Sequence, residues 1–329
     1  MTPSKLNHLL GFLKSYGTQS IAYSTLQNYL DHHVIEDIGY AAYGNRSGHR
    51  FVLGGPICPD QYMARFIDSL IGELKNPAFV QIDKKTAELL HDHFGYKVTR
   101  LGIETLLPIQ KYSLDDDSNK SRLRASIRRG RERAKVFELD QSALVERFAI
   151  EESDLDEISK QWIDVKTNKR PLRFLIRKAK YADEPYVRKF YSIDDKENVL
   201  GFIFFDPIFE RGDIVGYCPS VMRAKPSAPM GHAAFILFEA IAKFKEEDIE
   251  TISLGLSPEA PSRSAFRHDM MTFYGLRMLY EYGNRIYNFK GTRYYKSQFK
   301  GRSVDSYFAT KKTFSIFESF AIARYAGFI

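Results

Sequence analysis

Apolar residues recur at helical spacing where the chain opens: Leu6, Leu9, Leu10 and Leu13 share one face, which predicts a helical segment over 5–33. Two short strand-like runs follow, 39–43 and 50–53, joined by the polar turn Gly44-Asn45-Arg46-Ser47-Gly48. Gly54-Gly55-Pro56 leads into a helix ending at Leu74, and the pattern continues as strand 78–82, helix 85–94 and strand 96–108. Beyond residue 140 the order restarts. A helix is expected over 144–166, a hairpin from 187–193 and 199–205 across a turn at 194–198, and a third strand over 213–221. Then come an amphipathic helix over 231–246, a buried strand over 251–255, a helix over 262–274 and a strand over 286–289. The same succession appears twice, which predicts an α/β (α+β) protein with mixed central sheets flanked by helices. The expected division is a first domain over 1–119, a connector helix over 120–140 and a second domain over 141–329.

Composition sharpens that picture. Tyr and Phe supply 45 of the 46 aromatic residues among 329, which favours strand-rich cores and aromatic-lined clefts over a helical bundle. No stretch approaches the ~20 apolar residues of a spanning helix, and the first residues lack the outline of a signal peptide. Cys58 and Cys218 stand alone with no metal or redox spacing, as reduced thiols of a cytosolic protein would.

The net charge of +7 sits in one place. Between Lys120 and Lys135 lie eight basic residues and one acidic residue, Glu132, so the rest of the chain holds 40 of each sign. On a helix, Lys120, Arg124, Arg128 and Arg131 would share a face, with Leu123, Ile127 and Ala134 as a thin apolar seam. One reading is a phosphate-binding surface for RNA or an anionic lipid head group. The other is a solvated face paired with the acidic residues Glu151, Glu152, Asp154, Asp156 and Glu157.

Two further segments could carry chemistry. Ser220-Val221-Met222-Arg223 runs into the loop 224–231, Ala-Lys-Pro-Ser-Ala-Pro-Met-Gly, ahead of a helix. In acetyl-CoA-dependent GNAT enzymes this junction is a glycine-rich turn whose amides cradle a pyrophosphate at the helix N-terminus. Two prolines and a single glycine argue against a standard coenzyme A site here. The second segment, 287–299, alternates aromatic residues with Lys290, Arg293 and Lys296. Its cations could hold a developing oxyanion or a phosphate, or could simply guard an edge strand. The pair His91 and His93 and the pair His32 and His33 read as surface residues, and no Ser/His/Asp order or nucleophile elbow is visible.

The motif Tyr-Asn-Phe-x-Gly-x-Arg-x-Tyr-Lys-x-x-Phe at 287–299 resembles the C-terminal signature of the lysylphosphatidylglycerol synthase domain of the multiple peptide resistance factors. The Val-Met-Arg step at 221–223, Ser-Leu-Gly-Leu-Ser-Pro at 253–258 and the basic helix extend the resemblance to about 39–308. It implies two tandem GNAT-like acyltransferase domains moving an aminoacyl group from aminoacyl-tRNA to an acceptor hydroxyl, typically phosphatidylglycerol. Arg223 and Lys296 match the arginine and lysine of the family's catalytic site. Ser220 stands where the family has an aspartate, and a protein without the family's membrane flippase domain is expected, so that any lipid is met from the cytosol.

The expected protein is therefore an acyltransferase, aminoacyl-tRNA-dependent, acting on a lipid or small acceptor. It is expected in the cytoplasm, meeting any lipid at the inner face of the membrane. Lys296 and Arg223 would stabilise the tetrahedral oxyanion, and Ser220, Tyr217, Glu259, Arg293 and Tyr295 would shape the pocket. Lys120, Arg124, Arg128 and Arg131 would contact tRNA phosphates. No metal or bound cofactor is implied, the aminoacyl-tRNA being a co-substrate. An N-acyltransferase using an acyl carrier protein or acyl-CoA, and a non-catalytic RNA- or membrane-binding module, are the alternatives.

Overall fold

A computed structural model describes residues 1–46, 48–114, 120–165, 174, 177–261, 266, 270–283 and 288–311. The first helix, α1 (Pro3–Tyr16), is capped by the Thr2 side chain and begins with proline, but it ends at Gly17, well short of residue 33. A 3-10 turn (Ala22–Leu26) and an edge strand β1 (Asp31–Ile35) occupy the remainder of that segment. Then come β2 (Gly39–Arg46), β3 (His49–Leu53), α2 (Met63–Leu74), β4 (Ala78–Ile82), α3 (Lys84–Phe94) and β5 (Lys97–Pro108), close to expectation.

The basic segment forms α4 (Ser121–Arg131), which gives way to strand β6 (Lys135–Glu138). The single helix expected over 144–166 is two, α5 (Gln141–Phe148) and α6 (Glu152–Asp164). Ala149 takes a left-handed backbone at φ 51° and stops the first, while Glu151 and Asp154 form a capping box that starts the second. Strands β7 (Arg188–Ile193), β8 (Val199–Glu210) and β9 (Asp213–Ala224) follow, then α7 (His232–Glu246) and β10 (Thr251–Pro258).

Much of the expected helix over 262–274 lies outside the described residues; the described helix, α8, spans Met270–Gly283. Of the expected strand over 286–289, residues 286 and 287 lie outside the description, and Phe289 opens a helix instead, α9 (Phe289–Ser297). The Asn288 side chain accepts the Gly291 amide at 2.7 Å, and this cap turns the aromatic–cationic run into a helix. A further strand, β11 (Arg302–Thr310), was not anticipated.

The strands of the described residues form one sheet in the order β1-β2-β3-β4-β11-β5-β10-β9-β8-β7-β6. The expected repetition is visible in it: β1, β2 and β3 pair antiparallel and α2 returns the chain to β4, parallel to β3. Likewise β6 to β9 pair antiparallel and α7 leads to β10, parallel to β9. The final strand of each half crosses over. β5 pairs with β10 of the second half, and β11 inserts between β4 and β5.

Strand β8 shows how both faces are filled. Ile203 and Phe205 pack into the cluster of α7, while Phe202 and Phe204 pack into that of α5 and α6. Helix α4 lies on α7 and they meet at Gly130, where a Cβ would stand 2.3 Å from Cγ of Phe235. Gly130→Val is expected to lower stability by about 1–3 kcal/mol despite the loss of a helical glycine, because the buried ring cannot retreat. A thermal melt matching the parent's would show that the two helices separate freely.

Candidate functional site

Strands β9 and β10 are paired over only two positions, Gly216 with Thr251 and Tyr217 with Ile252. Beyond them β9 continues to Ala224 and β10 to Pro258, with no register between them. Helix α9 packs on β10 there and lays Lys296 over the gap. Its Nζ donates to the Leu256 carbonyl at 2.8 Å. Gly255, at φ 73°, makes room: a Cβ there would sit 3.7 Å from Lys296 Nζ and 3.6 Å from Cys218 Sγ. Burial lowers the Lys296 ammonium to about 8, against the opposing pull of the Glu104 carboxylate. Glu104 reaches in from β5 and accepts from the Ser253 hydroxyl, which in turn accepts the Gly255 amide at 2.9 Å. Burial also pushes the Cys218 thiol well up, so it stays protonated.

The β9 wall carries Ser220 and Arg223. Ser220 Oγ lies 2.8 Å from Asp206 Oδ1 on β8. Asp206 is 1% exposed and takes a two-pronged contact from Arg177, at 2.8 Å and 3.1 Å. Arg177 also reaches both oxygens of Glu184 at 2.7 Å, with the Tyr23 ring 5.5 Å from its guanidinium carbon. Burial drives the Asp206 carboxyl upward, opposed by Arg177 and Ser220. Burial alone would lower the Arg177 guanidinium, but the two carboxylates raise it on balance. Arg223 stacks its guanidinium 4.2 Å over Trp162 of α6 and donates to the Met222 carbonyl at 2.8 Å.

Glu259 and Arg293, both anticipated, are joined at 2.8 Å. Arg100, which the sequence did not single out, binds Glu259 at 2.7 Å and Asp305 at 2.6 Å, tying β5 and β11 to α9. Tyr295 is turned inward edge-on against Phe299, and burial raises its hydroxyl. Tyr217 points to the other face, stacked on Phe244 at 4.6 Å and away from Lys296.

The basic helix divides. Lys120 is 7% exposed, donates to the Ser113 carbonyl at 2.6 Å and lies 4.5 Å from the Tyr112 ring centroid. Arg124 donates to the Leu114 carbonyl at 2.7 Å. Arg128 approaches Glu132 at 4.0 Å, and Arg131 pairs with Glu239 of α7 at 2.7 Å. Among the described residues, the carboxylates paired with Arg128 and Arg131 are Glu132 and Glu239, not those at 151–157. Helix α4 also covers the start of α7: Arg129 donates to the Met230 carbonyl at 3.2 Å, and a Cβ on Gly231 would meet Ser126 Oγ at 2.4 Å.

His33 is not a surface residue. It is 7% exposed, with Nδ1 2.7 Å from Glu73 and Nε2 3.2 Å from Ser69 Oγ. That is the connectivity of a nucleophile, a base and its orienter. Ser69, however, sits inside α2, where the neighbouring amides belong to the helix ladder and cannot hold an oxyanion. A groove of about 470 Å³ at the β6–β7 edge involves Glu138, Asp140, Asp183 and Arg188 and lies apart from Lys296. Among the described residues no helix is long and apolar enough to cross a membrane.

The family model described as "Phosphatidylglycerol lysyltransferase, C-terminal" matches residues 11–310. The fold is similar to that of L-PGS from Bacillus licheniformis, at a TM-score of 0.80 and 18% identity over 99% of this chain and 97% of that one. It is also similar to the C-terminal domain of a putative lysylphosphatidylglycerol synthetase from Agrobacterium fabrum, at a TM-score of 0.76 and 18% identity over 99% and 98%. FemX shares the architecture at a TM-score of 0.56 and 10% identity over 92% and 95%. An uncharacterized Corynebacterium glutamicum protein is 27% identical over 101 residues, 31% of this chain but only 13% of that longer protein.

Proposed function

Because the chain belongs to the phosphatidylglycerol lysyltransferase C-terminal family, we propose that it transfers an aminoacyl group from aminoacyl-tRNA to a hydroxyl of a lipid or small acceptor. The observation that carries this reading is the position of Lys296, a desolvated cation over the gap where β9 and β10 part. An aminoacyl ester is already activated. The acceptor oxygen attacks its carbonyl, the C–O bond to the tRNA ribose breaks, and the acceptor's proton ends on the ribose oxygen. What the protein must supply is alignment and a cation for the oxyanion of the tetrahedral intermediate. Lys296 fills that role in this reading, with Arg223 held by Trp162 on the opposite wall. Ser220, Glu259 and Arg293 line the approach in this reading, and Tyr217 and Tyr295 support it from behind.

The test is transfer of label from a set of radiolabelled aminoacyl-tRNAs to phosphatidylglycerol vesicles or a total lipid extract. Label leaving the tRNA for the lipid fraction, or for a small acceptor in the extract, is expected with the parent protein; its absence from both with every donor would sink the proposal. Coenzyme A thioesters are not the donor in this reading. The loop at 224–231 has two prolines, and Ser126 and Arg129 of α4 already lie against its end. Calorimetry with acetyl-CoA is expected to give no binding below about millimolar, and low-micromolar binding would favour the acyl-CoA alternative instead.

Of the four residues expected to contact phosphates, Arg128 and Arg131 are well exposed on the basic helix, at 76% and 57%. Neutralising both is expected to flatten the log–log salt dependence of tRNA binding by about one unit for each phosphate that the helix no longer neutralises. An unchanged slope would remove α4 from the tRNA-binding surface.

A further inference from the structure

The buried charges beneath Ser220 have no part in the chemistry assigned to Lys296. Both Asp206 oxygens are engaged by Arg177, Oδ1 at 2.8 Å and Oδ2 at 3.1 Å, and Oδ1 also meets Ser220 Oγ at 2.8 Å. The guanidinium has only donors, so both carboxylate oxygens must accept. Ser220 is therefore the donor in its contact with Asp206. A hydroxyl has one proton and two lone pairs. With its proton turned inward, Ser220 offers only lone pairs to any group it meets on its open side. Ser220 is half-buried, not sealed. Cys218, two residues earlier on β9, is the register partner of Asp206, and its Sγ borders the same Gly255 position as Lys296 Nζ.

We propose that the Arg177–Asp206 pair positions the Ser220 proton, so that Ser220 accepts a hydrogen bond from the amino group of the acyl moiety being transferred. Ser220 is the contact residue; Asp206 and Arg177 act through it. This rests on the transferase reading for the identity of the acyl group. It also accounts for serine at this position: a carboxylate on residue 220 would stand at hydrogen-bond distance from the Asp206 carboxylate and repel it.

Two unreactive donor analogues test it by calorimetry: the lysyl amide of 3′-amino-3′-deoxyadenosine, and the hexanoyl amide, which has the same carbon chain without amines. The parent protein is expected to bind the lysyl analogue about tenfold tighter, the worth of one good hydrogen bond. Ser220→Ala should bring the two within about threefold of each other, and Ser220→Thr, which keeps the hydroxyl, should restore the preference. Asp206→Asn can donate its amide to Ser220 and turn the proton outward, so it should also abolish the preference; Ser220→Ala decides the matter if that variant fails to fold. Equal binding of the two analogues by the parent protein, binding of neither, or a preference that survives in Ser220→Ala would each overturn the proposal. Transfer from lysyl- and hexanoyl-esterified tRNA acceptor-end mimics is run alongside. Equal transfer from both overturns the role of Ser220 and leaves the transferase standing. An intact binding preference with no transfer from either supports Ser220 and counts against the transferase.

Discussion

Arg177→Met is expected to cost about 3–5 kcal/mol of folding stability, the loss seen when one partner of a buried ion pair is removed. Asp206 and Glu184, at 1% and 10% exposed, would then share a buried site without a counter-charge. Most of that loss is the penalty of the stranded carboxylates, so Arg177→Met combined with Asp206→Asn and Glu184→Gln should recover a large part of it. Burial already drives the Asp206 carboxyl upward, and removing Arg177 strengthens the trend. A carboxyl raised in the fold holds its proton more tightly than the unfolded chain does, so stability increases as pH falls through the raised value. The deficit of Arg177→Met should accordingly be largest above neutral pH and narrow on acidification. Urea unfolding at several pH values measures this, and a deficit independent of pH would show that the carboxylates find water instead.

Lys296→Ala is expected to lower transfer at least about tenfold, and by roughly 3 kcal/mol in the barrier if its cation meets the oxyanion directly. It should do so without unfolding the protein. The ammonium is lowered to about 8 because its surroundings disfavour the charge, so its removal relieves the fold of a desolvated cation. In stability the unfolded chain holds the proton more tightly, so Lys296 favours the fold increasingly as pH rises from about 8 towards the ordinary lysine value. Activity has the opposite dependence: a catalytic cation is lost as pH rises past about 8, and turnover should decline there. Circular dichroism and initial rates from pH 6 to 10 separate the two. Near-parent turnover in Lys296→Ala would end its assignment.

Much of the architecture was legible because strand periodicity and turn chemistry agree locally. The hairpin of β7 and β8, the parallel strands β4 and β10, and the repeated order all rest on such runs. The missed features depend on single residues or on distant partners. Nothing in the apolar pattern over 144–166 shows that Ala149 will adopt a left-handed backbone. The run at 287–299 alternates like a strand, and the helix that Asn288 caps over 289–297 is not visible in that alternation. Lys296 could be picked out by motif, but Asp206 and Arg177 could not. Asp206 reads as one polar residue closing an apolar strand, and its partner comes 29 residues earlier in sequence. A buried carboxylate in so apolar a run, Phe202 to Phe209, was the one signal available, since such a group needs a cation.

The crossing of β5 and β11 bears on how the chain must be made. Strand β11 is sequestered between two strands completed some two hundred residues earlier, as its pairing of Tyr307 with both Ile82 and Arg100 shows. Until residues 302–310 leave the ribosome, β4 and β5 border an unfilled slot, and the backbone amides and carbonyls on the edges that face it lack strand partners. Such a contact closes a very long loop, which makes the step slow, and the waiting slot is a template for strands of other chains. Yield in the cell should therefore depend on holding that half-built sheet away from its neighbours during synthesis.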